Sequence, residues 1–126
     1  IAQVTDLAST INELKAKNLL HDTVVLMFGA NSAFTKGQLE RELKRIGMEK
    51  QIFLVTTTTS KTWREDVNNV YASVSEKYSN VHVLDWNEYS KDQDWFYSHK
   101  SYVTEVGAHE EALFFAKKIY ETLRGN

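Results

Sequence analysis

Asn31 is the residue of this 126-residue chain whose position most clearly suggests chemistry. It follows an uninterrupted apolar run at residues 24–28 and lies two residues after Gly29. Such runs are typical of buried parallel strands, and α/β proteins place their sites at the carboxyl ends of those strands. A side-chain amide there could hold a developing oxyanion, which indicates acyl-transfer chemistry. The alternative is an asparagine that hydrogen-bonds its own loop backbone.

His99 is a candidate general base, because it lies in a loop that also contains Asp92 and Asp94. Either carboxylate could orient the imidazole for proton transfer. A surface histidine beside solvated carboxylates is the alternative interpretation. The other three histidines have no partner at metal-ligand spacing, so the sequence predicts neither a metal site nor a cofactor.

Aromatic residues are frequent in the loops expected at the carboxyl ends of the strands. Rings there could stack on sugar rings, because an aromatic side chain with a polar tip suits a glycan face. Packing within the core and loops is the alternative for each ring. The candidate ligand contacts are Gly29, Ser32, Trp63, Trp95 and Tyr97.

The composition excludes several functional classes. Fifteen basic and 17 acidic residues give a formal net charge of −2, so no long-range field favours nucleic acid or an anionic membrane. The chain has no cysteine, which excludes disulfides, thiolate catalysis and sulfur-ligated metals. No apolar run is long enough to span a bilayer. The chain starts with neither a signal peptide nor an initiator methionine, so we expect it to be processed or excised from something longer.

Strand and helix patterns alternate along the chain, which predicts one α/β domain over residues 1–126. We expect Thr5 or Asp6 to cap the first helix, Thr35 to cap the second, and Gly47 to end the second helix in a left-handed conformation. We expect the last helix to bury Leu113, Phe114, Ala116, Ile119 and Tyr120. Helices are predicted at residues 7–17, 35–47, 63–78 and 106–123, and buried strands at 23–28, 51–56 and 81–84.

Four segments, residues 24–34, 50–56, 80–86 and 94–107, together resemble the extracellular SGNH (GDSL-like) domain of peptidoglycan O-acetyltransferases. The resemblance covers nearly the whole chain in order and is especially close at residues 28–36. It implies a three-layer, flavodoxin-like parallel sheet flanked by helices, and an extracellular location at the cell surface.

The resemblance also implies a set of catalytic blocks, which this sequence matches only in part. The family uses a serine nucleophile, a glycine and an asparagine as oxyanion donors, and a late Asp-x-x-His pair. Asn31 matches the oxyanion asparagine, whereas the glycine position holds Thr5, the aspartate position His99 and the histidine position Tyr102. A phenol, with a pKa of roughly 10, is a poor base at neutral pH.

The serine block is absent from these 126 residues, since no Gly-Asp-Ser occurs in them. Residues 1–4 resemble the family's second strand, so its first strand and serine would lie upstream of residue 1. In a flavodoxin-like order that strand lies inside the sheet, and its loss leaves unpaired strand edges. Such edges make self-association a reasonable expectation.

Three functional hypotheses remain open. The first is a catalytically inactive domain of a cell-surface acyltransferase that binds a cell-wall glycan or another part of its parent protein. The second is an active O-acetyltransferase or esterase whose serine lies in an omitted segment and whose base is His99 or another residue. The third is a flavodoxin-like module that binds a nucleotide, although no glycine-rich phosphate loop follows any predicted strand.

Overall fold

The protein is an α/β structure with one parallel sheet between two helical layers, as the alternation of strands and helices and the family resemblance predict. The computed structural model describes residues 7–29, 32–98 and 102–125. Its elements in chain order are α1 Leu7–Ala16, β1 Thr23–Leu26, α2 Lys36–Ile46, β2 Gln51–Val55, α3 Arg64–Lys77, β3 Val81–Leu84, α4 Trp86–Ser90 and α5 Glu105–Arg124.

The sheet has three strands in the order β1-β2-β3, and both pairings are parallel. Alternate side chains of each strand point to opposite faces, which divides the core in two. Leu26, Ile52 and Leu54 pack with the helices α1, α2 and α3 on one face. On the other face, Phe53 and Val55 pack with Phe114 of α5 and with the segment between α4 and α5, whose described residues are 91–98 and 102–104. We call this segment the aromatic loop.

Helix α2 shows how local signals define an element. The Thr35 hydroxyl accepts a hydrogen bond from the Gln38 N–H at 3.1 Å, and the Gln38 side chain accepts one from the Thr35 N–H at 2.8 Å. This capping box confirms the predicted start of the helix. Gly47 ends the helix with the predicted positive φ of 123°, but its ψ of 132° lies outside the left-handed helical region.

The prediction that residues 23–28 form a strand buried on both faces is wrong. The strand ends at Leu26, and Val25 and Met27 are 40% and 50% exposed. Helix α5 packs over β2 and β3, so that side of β1 is left uncovered. No strand in the described ranges pairs with the free edge of β1.

Two further expectations are corrected at the carboxyl-terminal half. Of the residues expected to be buried by α5, Phe114 is buried and Ile119 is half-buried, but Leu113, Ala116 and Tyr120 are exposed. The helix touches the sheet with one side only, so its outer face stays in solvent. The four predicted helices also omit the short helix α4, which follows β3. The expected caps at residues 5 and 6 and the strand-like residues 1–4 lie outside the described residues.

Candidate functional site

A cavity of about 210 Å³ lies at the carboxyl ends of the strands. Its walls come from the ends of β1 and β2, the start of α4, the aromatic loop and helix α5. Most of its side chains are apolar or aromatic, which is typical of ligand sites that also present a few polar groups. Its lining residues are Met27, Phe28, Val55, Thr56, Thr57, Thr58, Trp86, Phe96, Tyr102, Val103 and Glu111.

Helix α3 holds the chain that follows β1. The buried Tyr71 hydroxyl donates to the Phe28 carbonyl oxygen at 2.6 Å, and the Trp63 indole N–H donates to the Gly29 carbonyl oxygen at 2.9 Å. Gly29 has a φ of 103°, and a Cβ there would lie 2.8 Å from Val67 Cγ1. The glycine therefore permits a positive φ and close packing against α3. Asn31, which this turn leads to, lies outside the described residues.

A polar network joins the ends of β2 and β3. The Thr56 hydroxyl donates to Asp85 Oδ1 at 3.1 Å and accepts from the Asn87 N–H at 2.8 Å. The Asn68 amide accepts from the Thr57 N–H at 2.8 Å and donates to the Thr57 carbonyl oxygen at 3.0 Å. These bonds satisfy backbone groups that a strand end would otherwise leave unpaired. Sequence reasoning missed this network, although a threonine run directly after an apolar strand was its visible signal.

A second, polar cavity of about 390 Å³ adjoins this network and shares Thr56 with the first cavity. It combines one guanidinium with amide and carboxylate groups, and so offers both donors and acceptors to a polyhydroxylated ligand. Its polar lining residues are Thr56, Arg64, Glu65, Asn68, Asn69, Asp85, Asn87 and Glu88.

The structure brings only some of the predicted site residues together. Tyr102 is 52% exposed and lines the apolar cavity. Trp95 is half-buried and stacks on Trp86, with ring centroids 5.6 Å apart and ring planes 8° from parallel. Tyr97 is exposed, and its N–H donates to the Tyr102 carbonyl oxygen at 3.0 Å.

The remaining predicted residues lie elsewhere or cannot be placed. Trp63 is half-buried, and its indole N–H is bound to the Gly29 carbonyl oxygen. Ser32 is half-buried and does not line the apolar cavity. His99 lies outside the described residues.

Glu111 is a site residue that sequence reasoning missed. It lies in the second turn of α5 and lines the apolar cavity. Burial raises the pKa of the Glu111 carboxyl, because loss of water disfavours the charged form. Among the described residues, Glu111 Oε2 and the buried Trp86 Nε1 have no hydrogen-bond partner. Two unsatisfied polar atoms therefore belong to the walls of one cavity.

His82 lies at the opposite end of the sheet from this cavity. Its Nε2 is 2.7 Å from Gln51 Oε1, at the start of β2, and burial lowers the pKa of the imidazole. His21 likewise precedes β1 at the amino end of the sheet. Neither imidazole can therefore act on a ligand at the carboxyl ends of the strands. Within the described ranges, no three His, Cys, Asp or Glu side chains are grouped so as to hold a metal ion.

The sequence is similar to proteins named for O-acetyl transfer. It is 31% identical over 107 residues to peptidoglycan O-acetyltransferase OatA of Listeria monocytogenes, and 34% identical over 88 residues to O-acetyltransferase OatA of Staphylococcus aureus. The matches cover 84% and 70% of this chain. The chain is homologous to a segment of the peptidoglycan O-acetyltransferases. No family model matches it.

The chain spans only 17% and 13% of the lengths of these two O-acetyltransferases. The homology therefore concerns one segment of much longer proteins, and it confirms the resemblance drawn from the sequence. In the part of the chain that the structure describes, no helix has the length and hydropathy needed to cross a membrane.

Proposed function

We propose that this O-acetyltransferase-related segment works outside the cell, at its surface, as a glycan-binding element that does not catalyse acyl transfer. The observation that carries the proposal is the exposed phenol of Tyr102, which lines the cavity at the carboxyl ends of the strands. By the family resemblance, this position belongs to the general-base histidine. A tyrosine phenol is a much poorer proton acceptor than an imidazole, so Tyr102 does not replace the histidine as the general base in this proposal.

Other members of the catalytic unit are also replaced or absent. His99 stands at the position of the orienting aspartate, and the Gly-Asp-Ser block does not occur in these residues. Members of such a unit act together, so the loss of one removes most of the rate. Asn31 alone would retain its role as an oxyanion donor, and one donor without a nucleophile and a base does not form an ester bond.

The two adjoining cavities support glycan binding. The first presents the rings of Phe96 and Tyr102 to a ligand, and the second presents mainly polar side chains such as Arg64 and Asn87. Sugar rings carry apolar faces edged by hydroxyl groups, so they can use both kinds of surface. Trp95 and Tyr97, in the adjacent aromatic loop, are further candidate contacts.

The absence of catalysis is tested by hydrolysis of a chromogenic acetyl ester by this polypeptide. We expect the rate to equal that of buffer, and to be the same for the parent chain and the Asn31→Ala variant. Turnover well above buffer that falls in Asn31→Ala would support instead an active esterase that uses His99 or another base.

Glycan binding is tested by NMR titration with soluble glycan fragments of peptidoglycan. We expect backbone shifts around the two cavities, and weaker binding by the Tyr102→Ala variant. The control variant is Leu19→Ala, because Leu19 is about as exposed as Tyr102 but lies far along the chain from either cavity. Shifts that are unchanged in Tyr102→Ala, or the absence of any shift, would contradict the proposal.

A further inference from the structure

Helix α5 carries an apolar stripe on its outer face. Val106, Leu113 and Tyr120 are 61%, 54% and 62% exposed, and successive members are seven residues apart. Seven residues are close to two helical turns, so these side chains lie on the same face, over about 21 Å of helix. The side of α5 that packs on the protein is a different one and includes Phe114.

Two charged residues flank the middle of this outer stripe. Glu110 lies three residues before Leu113 and Lys117 lies four residues after it, so both share its face. Neither forms an ion pair within the described part of the chain. The stripe therefore has an acidic group towards the amino end of the helix and a basic group towards the carboxyl end.

We propose that the outer stripe of α5 binds the same stripe of a second copy of this chain, with the two helices antiparallel. A twofold axis at Leu113 places Val106 of each copy opposite Tyr120 of the other. It also places Glu110 beside Lys117 of the second copy, and Lys117 beside the Glu110 of that copy. The surface is thus complementary to itself in both shape and charge.

The charge order selects this arrangement over a parallel one. Glu110 and Lys117 lie on the same side of the stripe, so parallel helices in register would place them on the opposite side of the contact from Glu110 and Lys117 of the second copy, and neither ion pair could form. Antiparallel helices also align their dipoles favourably. Since the stripe is short, the contact is small and the dimer should be weak.

The free edge of β1 is the competing surface for self-association. It exposes Val25 and Met27, but nothing along this edge specifies a partner or a register. The dimer through α5 is independent of glycan binding, because none of the three stripe residues lines either cavity. The experiment below separates the two surfaces.

Sedimentation velocity of the 126-residue chain, from about 10 µM to about 1 mM, measures the dimer directly. We expect the weight-average mass to rise towards that of a dimer. The Leu113→Gln variant changes both copies at the axis, and we expect it to raise the dissociation constant about tenfold or more. The control Leu19→Gln, at an exposed leucine outside α5, should leave the constant unchanged.

Charge reversal supplies the decisive comparison. We expect Glu110→Lys alone and Lys117→Glu alone to weaken the dimer, and the double variant to restore it, since the reversed pair attracts again. Melting curves verify that each variant is folded. A chain that stays monomeric overturns the proposal. So does a double variant that remains weak, or a dimer lost in Val25→Lys but kept in Leu113→Gln.

Discussion

Tyr71 connects helix α3 to the end of β1, and its hydroxyl can be removed with little change in shape. The side chain is fully buried and donates to the Phe28 carbonyl oxygen at 2.6 Å, while its ring packs against Phe28 and Phe34. Tyr71→Phe keeps the ring contacts and leaves a buried carbonyl without its donor. An unsatisfied buried acceptor costs about 1–3 kcal/mol, which we expect as the loss in unfolding free energy.

Urea denaturation measures this loss as a lower midpoint with an unchanged slope. The melting temperature should fall by several degrees, since about 1 kcal/mol corresponds to roughly 3–5 °C in a domain of this size. The control is Tyr89→Phe, because Tyr89 is exposed and makes no side-chain hydrogen bond within the described ranges. A Tyr71→Phe variant as stable as the parent would refute the structural role that we assign to this hydroxyl.

The pH dependence of the same variant gives an independent check. Burial raises the pKa of Tyr71 above its usual range, so the folded protein keeps a proton that the unfolded chain loses above about pH 10. The stability associated with the neutral phenol is complete below about pH 10 and is lost as the pH rises further. The Tyr71→Phe variant lacks this titration, so its deficit relative to the parent should shrink above about pH 10.

Two further predictions concern the walls of the cavity and its aromatic loop. Because burial raises the pKa of Glu111, its contribution to stability is complete below about pH 4 and is lost as the pH rises through the raised pKa. In thermal melts, Glu111→Gln should therefore be more stable than the parent at about pH 7 but not at about pH 4. A Cβ at Gly107 would collide with the Trp95 carbonyl oxygen and lie 2.8 Å from Trp95 Cβ, so Gly107→Ala should cost about 1–3 kcal/mol of unfolding free energy. In contrast, Gly37→Ala meets nothing closer than 4.0 Å within a helix and should gain about 0.5–1 kcal/mol in the same denaturation assay.

The sequence predicted elements well where one local signal was enough. The capping residue Thr35 and the positive φ of Gly47 define the ends of α2 through bonds within a few residues. The strand β2 was predicted correctly because it is the central strand, with Ile52 to Val55 covered on both faces. The same apolar pattern in β1 led to a wrong prediction. An edge strand with one uncovered face can contain the same residue types as a strand that is buried on both faces.

The candidate site was predicted less completely than the fold. The family resemblance assigned Tyr102 to the position of the histidine, and in the structure Tyr102 lines the cavity at the carboxyl ends of the strands. Glu111 was missed, because a glutamate in the second turn of a helix carries no sign of a cavity beside it. Trp63 was predicted as a ligand contact, and the structure adds that its indole N–H donates a hydrogen bond to the Gly29 carbonyl oxygen. The hydrogen-bond partner of a polar atom can lie far away in the sequence, so it is known only once the chain has folded.

The sequence by itself determined the order of the main helices and strands and the relationship to O-acetyltransferases. These properties depend on the residue types themselves and on interactions between residues that are close in the sequence. Only the tertiary structure decided that Val25 and Met27 are exposed, that Glu111 lines a cavity and that the outer stripe of α5 is exposed among the described residues. Exposure depends on which elements pack together, because the same apolar side chain is buried or solvated according to what lies against it.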